Sequence, residues 1–269
     1  MDNKPEAKTA KTESKNKNIK IVAIIIAILV VIIAAVFLFL NLTKPSAKTA
    51  LTEAAKTKIT SARSTIVVTN QNGKKRETGT MNYEFNKNYI HLSSKFDPKS
   101  AGQAQEMWST PKRVYNLDKD NKWQYMVKTS FAQTIFTQMF SSYNKLFTAH
   151  NFDRFSNKGF AALKVNLDGF NGYTITYQGS DKNVIAGLQK ASTVSGSTQE
   201  ADVSQIKDVN LTIKIDRKKQ LRDMNYVVTY KNKQGTVSVH LFDINNVNNL
   251  KTPDALKKAT RVKVSNIED

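Results

Sequence analysis

The stretch Val209–Ile244, VNLTIKIDRKKQLRDMNYVVTYKNKQGTVSVHLFDI, decides the fold. It divides into three runs, Val209–Ile215, Leu221–Tyr230 and Gly235–Ile244, joined by the polar connections Asp216–Gln220 and Lys231–Gln234. Met224, Tyr226, Val228 and Tyr230 occupy alternate positions of the middle run, and Val237, Val239 and Leu241 do so in the last. Successive side chains of a strand point to opposite faces, so this spacing gives each strand an apolar face. Short polar connections join such strands antiparallel. The segment reads as an antiparallel meander that must bury one side.

The same period continues outward. Ser64–Gln71 is a strand, Asn72-Gly73 is a hairpin signal, and the returning strand sets Met81, Tyr83 and Phe85 opposite Thr80, Asn82 and Glu84. Further strands are predicted over Tyr89–Ser93, Glu106–Thr110, Arg113–Leu117, Trp123–Val127 and Gly172–Gln178. Helical spacing interrupts them. Ala47, Ala50, Leu51, Ala54, Ala55, Ile59 and Ala62 form one stripe behind Ser46 as N-cap. Ser130–Phe147 carries a broad apolar face of Phe131, Ile135, Phe136, Met139, Phe140, Tyr143, Leu146 and Phe147. A short helix is expected within 152–165, another behind Ser180 with Val184, Ile185 and Leu188, and a last one over Ala255–Ala259. Ser192–Thr198 reads as a loop, and no repeat of fixed period occurs.

At the N-terminus the pattern is of a different kind. Ile21–Leu40, IVAIIIAILVVIIAAVFLFL, has no charge, polar side chain, Gly or Pro. Twenty residues at about 1.5 Å each reach about 30 Å, the thickness of a bilayer core. Lys8, Lys11, Lys15, Lys17 and Lys20 precede it, while Lys44 and Lys48 follow. Positive charge stays on the cytoplasmic side, so the N-terminus is expected inside and the remainder outside. A cleaved signal peptide is the rival reading. Its apolar region would run about 7–15 residues to a small-residue site, whereas Phe37-Leu38-Phe39-Leu40 carries this one on to Asn41. The expected organisation is a cytoplasmic stub over 1–18, a single-pass membrane helix over 19–41 and an extracytoplasmic domain over 42–269. The fold class is α+β.

The chain has no cysteine, which excludes disulfides, thiol chemistry and acylation on cysteine. Its net charge is +19; the first twenty residues hold six Lys against Asp2, Glu6 and Glu13, so about +16 lies beyond them. Such a charge concentrates anions. Outside a cell these are lipid headgroups and anionic wall polymer, so nucleic acid is not an expected partner. Abundant lysine and asparagine are the flavour of low-GC Gram-positive bacteria.

Chemical motifs are missing. His91, His150 and His240 are far apart and show no metal-ligand spacing, so no metal or cofactor is expected. Asp118-Lys119-Asp120-Asn121 opens like a calcium loop, but the turn glycine is absent and the twelfth position is Thr129. No G-x-S-x-G, S-x-x-K, P-loop or Rossmann pattern occurs, and no serine is marked by a neighbouring base. No catalytic residues follow from the sequence, and an enzyme is not expected. What remains is an apolar surface suited to an acyl chain, for which the candidate lining residues are Trp108, Trp123, Phe131, Ile135, Phe136, Met139, Phe140 and Tyr143. Residue by residue, filling the core between sheet and helices is the favoured reading of the same side chains.

The order of elements resembles the LolA/LppX-type lipoprotein-carrier superfamily, in particular the small LolA-like surface proteins of Gram-positive bacteria. The resemblance is carried by Ala47–Gln71, by Asn210–Ile244 and by Leu250-Lys251-Thr252-Pro253-Asp254-Ala255. It implies a curved antiparallel half-barrel whose open face is covered by helices, enclosing a cavity for lipid chains. The Phe131–Phe147 segment would then be part of the cover. Many such Gram-positive proteins carry a lipidated cysteine. Here a membrane helix would replace it, and a tethered domain cannot shuttle cargo. The expectation is a stationary module holding a lipid or lipid-linked amphiphile. The alternative is an interaction domain that binds anionic wall polymer or a neighbouring membrane protein.

Overall fold

The computed structural model describes residues 9–72, 75–99, 104–128, 155–192, 203–231 and 235–262. The expected helix over Ser130–Phe147 and the Ser192–Thr198 loop fall largely or wholly outside them. The chain forms two units, Met1–Lys44 and Pro45–Asp269.

The first unit is one helix, α1 (Thr9–Leu42). Apolar side chains from Ile26 to Phe39 other than Phe37 are exposed, Val31 by 66% and Leu38 by 67%. The side chains of the apolar run are described only from Ile26 onward, about 25 Å of helix to Leu42 at 1.5 Å per residue. Among the described residues no single helix is long and apolar enough to cross a membrane.

The second unit opens with α2 (Ala47–Ala54), whose N-cap Ser46 accepts a hydrogen bond from the Thr49 N–H at 3.1 Å. The apolar stripe predicts a longer helix, through Ala62. The chain leaves it early because polar contacts fix the next residues. The Thr57 hydroxyl accepts the Leu221 N–H, and the Asn245 side chain accepts the Thr60 N–H at 2.7 Å. Ala62 thus begins a strand.

Strands follow in the order β1 (Ala62–Asn72), β2 (Lys75–Phe85), β3 (Ile90–Asp97), β4 (Gln105–Ser109), β5 (Arg113–Leu117) and β6 (Trp123–Val127). A short helix α3 (Asn157–Ala162) leads into β7 (Lys164–Asp168) and β8 (Gly172–Gly179). Helix α4 (Lys182–Ser192) precedes β9 (Ile206–Asp216), β10 (Leu221–Tyr230) and β11 (Gly235–Phe242). The chain ends in a 3₁₀ turn, Asp254–Lys258, and the two-residue β12 (Thr260–Arg261).

All twelve strands join one unclosed, curved sheet, in the order β12-β6-β5-β4-β3-β2-β1-β11-β10-β9-β8-β7. Every pairing is antiparallel except β12 with β6. The chain closes the gap between its first and last large hairpins by pairing β1 with β11, Ser64 opposite Leu241. Helices α2, α3 and α4 cover one face. Leu51, Phe160, Val184 and Ile185 pack there with Tyr83, Leu92, Ile175, Leu211, Ile213 and Leu241 in the main core. An antiparallel sheet with helices on one side is the arrangement that the resemblance implied.

Candidate functional site

Cross-strand registers order the helix-covered face into rows. Ile175, Ile213, Met224, Leu241, Ser64, Tyr83 and Leu92 form one continuous row from β8 to β3. This row is closed to solvent: Ile175, Ile213 and Leu241 are 0% exposed. Within it the Ser64 hydroxyl is buried without a hydrogen-bond partner among the described residues.

Two positions along each strand the cover thins. Leu211, Tyr226, Val239, Ile66 and Met81 make the next row, and Val209, Val228, Val237, Val68, Gly79 and Phe96 the one after. Ile66, Met81, Tyr226, Val228 and Val237 are only partly buried, and Val68 is 44% exposed. The Phe96 ring lies over Gly79, where an added Cβ would meet it at 3.2 Å. Burial among apolar neighbours pushes the Tyr226 hydroxyl up to about 12. The strand ends beyond carry exposed Arg76, Lys207 and Lys231 against Glu77 and Asp208. The result is an apolar strip over six adjacent strands, bordered by three cationic and two acidic side chains.

The opposite face holds a second core. Trp108 and Tyr115 are buried there with Val247, Leu250 and Leu256, and Tyr89, Trp123, Tyr125 and Ala259 pack around them. Residues 247–262 form a strap across β4–β6 that ends in the Val262 N–H bond to Tyr125 O at 3.0 Å. Trp108 and Trp123 therefore lie under the strap, on the face away from the helices. Trp108 also stacks on His91 at 4.2 Å. Phe131, Ile135, Phe136, Met139, Phe140 and Tyr143 lie outside the described residues.

The helix-free face also has an open concavity of about 470 Å³ lined by Arg222, Asp223, His240, Phe242 and residues 243–246. Its polar groups already serve one another. His240 pairs with Asp223 at 3.0 Å, Asp243 with Arg63 at 2.8 Å and Arg222 with Asp216, while Asn245 is spent on Thr60 and the Lys58 carbonyl. Among the described residues no group of three His, Asp or Glu could hold a metal ion.

The strip residues Ile66, Val68, Met81, Phe96, Val228 and Val237 were not singled out as ligand-lining by sequence. Their alternation is visible in it. Which strands stand side by side is not, and β1 meets β11 across most of the length of the sheet unit.

No known family and no curated protein matches the sequence. Solved structures with a similar course of chain include an uncharacterized conserved protein from Thermus thermophilus, 11% identical over 81% of this chain and 99% of that one, TM-score 0.28. A DUF1329 family protein from Desulfovibrio piger is 11% identical over 77% and 96%, TM-score 0.23. A LolA superfamily protein from Nitrosomonas europaea is 10% identical over 78% and 96%, TM-score 0.23. Scores so far below one half give no ground for transferring a function.

Proposed function

We propose that this chain is a membrane-anchored, extracytoplasmic binding module of LolA-like type that holds a lipid or lipid-linked amphiphile on the helix-covered side of its sheet. The observation that carries the reading is the strip of Val228, Val237, Val68 and Phe96, with Tyr226, Ile66 and Met81 beside it. Partly exposed apolar side chains on five neighbouring strands, β10, β11, β1, β2 and β3, favour a bound hydrocarbon at about 25 cal/mol per Å² covered. Arg76, Lys207 and Lys231 attract its anionic end. The anchor is supported by the apolar Ile21–Leu40 run, its exposed side chains from Ile26 and the lysines before it. The reading is non-catalytic.

The test uses the full chain in detergent micelles titrated with a fluorescent fatty acid. Val237→Asp and Val68→Asp are expected to weaken binding at least tenfold, because each sets a charge in the strip. Asn225→Asp, an exposed change on the other face of β10, is expected to leave it unchanged. Equal binding by all three proteins, or none by the parent, refutes the reading.

A further inference from the structure

We propose that the free edge of β7 pairs with the same edge of a second copy of this chain, antiparallel and centred on Asn166. Strand β7 stands last in the sheet, with β8 on one side and no described strand on the other. The far end of the sheet is treated differently, since β12 runs beside β6 there. An unpaired edge exposes backbone donors and acceptors that invite another strand.

Proteins blunt such edges with charge, and β7 reads Lys164-Val165-Asn166-Leu167-Asp168. Here the order of the charges reverses their usual effect. Antiparallel pairing about Asn166 places each Lys164 opposite Asp168 of the other copy, and each Val165 opposite Leu167. Lys164, Asn166 and Asp168 share one face, while Val165 and Leu167 share the face that packs on the main core. The two charge pairs and the two apolar pairs thus form at once, each on its own side. Opposite charges directly across a ladder attract and like charges repel. A parallel pairing sets Lys164 beside Lys164, and a register slipped by two residues loses both ion pairs.

The charges are also unspent. Neither Lys164 nor Asp168 has an ion pair or side-chain hydrogen bond among the described residues, whereas Glu84, Asp216 and Asp223 on other strands are paired. The adjoining turn adds apolar surface at the same edge, for Phe170 is 57% exposed. A two-fold axis through Asn166 makes the contact isologous and closed, so pairing stops at two copies. The partner is therefore this chain itself, and the sheet runs on from one copy into the next.

The absence of native cysteine makes the test clean, because an introduced thiol has no competitor. Full-length Asn166→Cys in detergent micelles is expected to give a disulfide-linked dimer on mild oxidation. Lys164→Cys alone is expected to give at least several-fold less. A mixture of Lys164→Cys and Asp168→Cys chains is expected to give the mixed dimer. Reversing one charge, Lys164→Asp, should lower the dimer fraction by light scattering several-fold, and the double exchange Lys164→Asp with Asp168→Lys should restore it. A monomeric parent chain overturns the proposal. So does Asn166→Cys cross-linking no better than Gln178→Cys on β8, or a dimer indifferent to the charge reversals. None of these results bears on fatty-acid binding, so the two proposals stand or fall separately.

Discussion

Two glycines in the turn from β7 to β8 carry different constraints. Gly169 has φ +53° and open space around a built Cβ, whereas Gly172 has φ +150° and a Cβ there would run into the carbonyl oxygen of Ile215. The first position asks only for a left-handed backbone, which costs an ordinary residue about 1–2 kcal/mol. The second adds a collision with the backbone of β9, which cannot turn aside as a side chain can. Gly169→Ala is expected to cost about 1 kcal/mol and Gly172→Ala at least about 3 kcal/mol in urea unfolding. Carboxylates act at the same scale. Asp118 accepts N–H bonds from Lys122 and Asp120, both at 2.8 Å, and the Lys122 N–H chiefly holds its carboxyl below the usual range. A folded value lower than the unfolded one stabilises where the unfolded carboxyl is ionised, above about pH 4, and that contribution is lost as pH falls through the folded value. Asp118→Ala should flatten the fall of the urea midpoint between pH 5 and pH 3.

Elements were legible where turn residues bracket them. Pro111-Lys112 and Asp118–Lys122 fence β5 and β6, and Arg113–Leu117, Trp123–Val127 and Leu221–Tyr230 are read to the residue. Strand β7 is hidden because its five-residue alternation follows directly on the apolar run from Phe160 in α3 to Leu163, its C-cap. Helix α2 was overrun because Ile59 and Ala62 keep helical spacing after distant partners, Leu221 and Asn245, have already fixed the backbone. The site was half legible for the same reason: alternation names the faces, but contacts remote in sequence choose the neighbours. Trp108 and Trp123 show the consequence: their sequence suggests a lining beside the helical cover, and the strand registers put them under the strap on the other face. The strap over them gives an element-scale prediction. Leu256 is 5% exposed in the second core, so Leu256→Ala should cost about 2–4 kcal/mol and shift tryptophan emission to the red. Ile213→Ala, in the main core, should cost as much without a comparable shift.

At the scale of the whole molecule, two units with separate chemistry meet at Lys44 and Pro45. The sheet unit builds its own core. Its helices cover the main core row, its other face carries paired charges and a strap, and the core includes Ala47–Ala54 from the segment directly after the junction. The helical unit does not. Its apolar side chains from Ile26 to Phe39, Phe37 excepted, are exposed, and so apolar a surface of that length is costly in water. The division predicts that deleting residues 21–40 moves the chain from the alkali-resistant membrane fraction to the soluble one. The β-sheet signal in far-UV circular dichroism and the urea midpoint should be unchanged, because no part of the sheet's core is removed. A soluble parent chain would remove the anchor from the functional reading. A deletion variant that no longer folds would show that α1 supplies burial the sheet unit lacks, and the outward-facing residues of Ile26–Phe39 would then have to be its source.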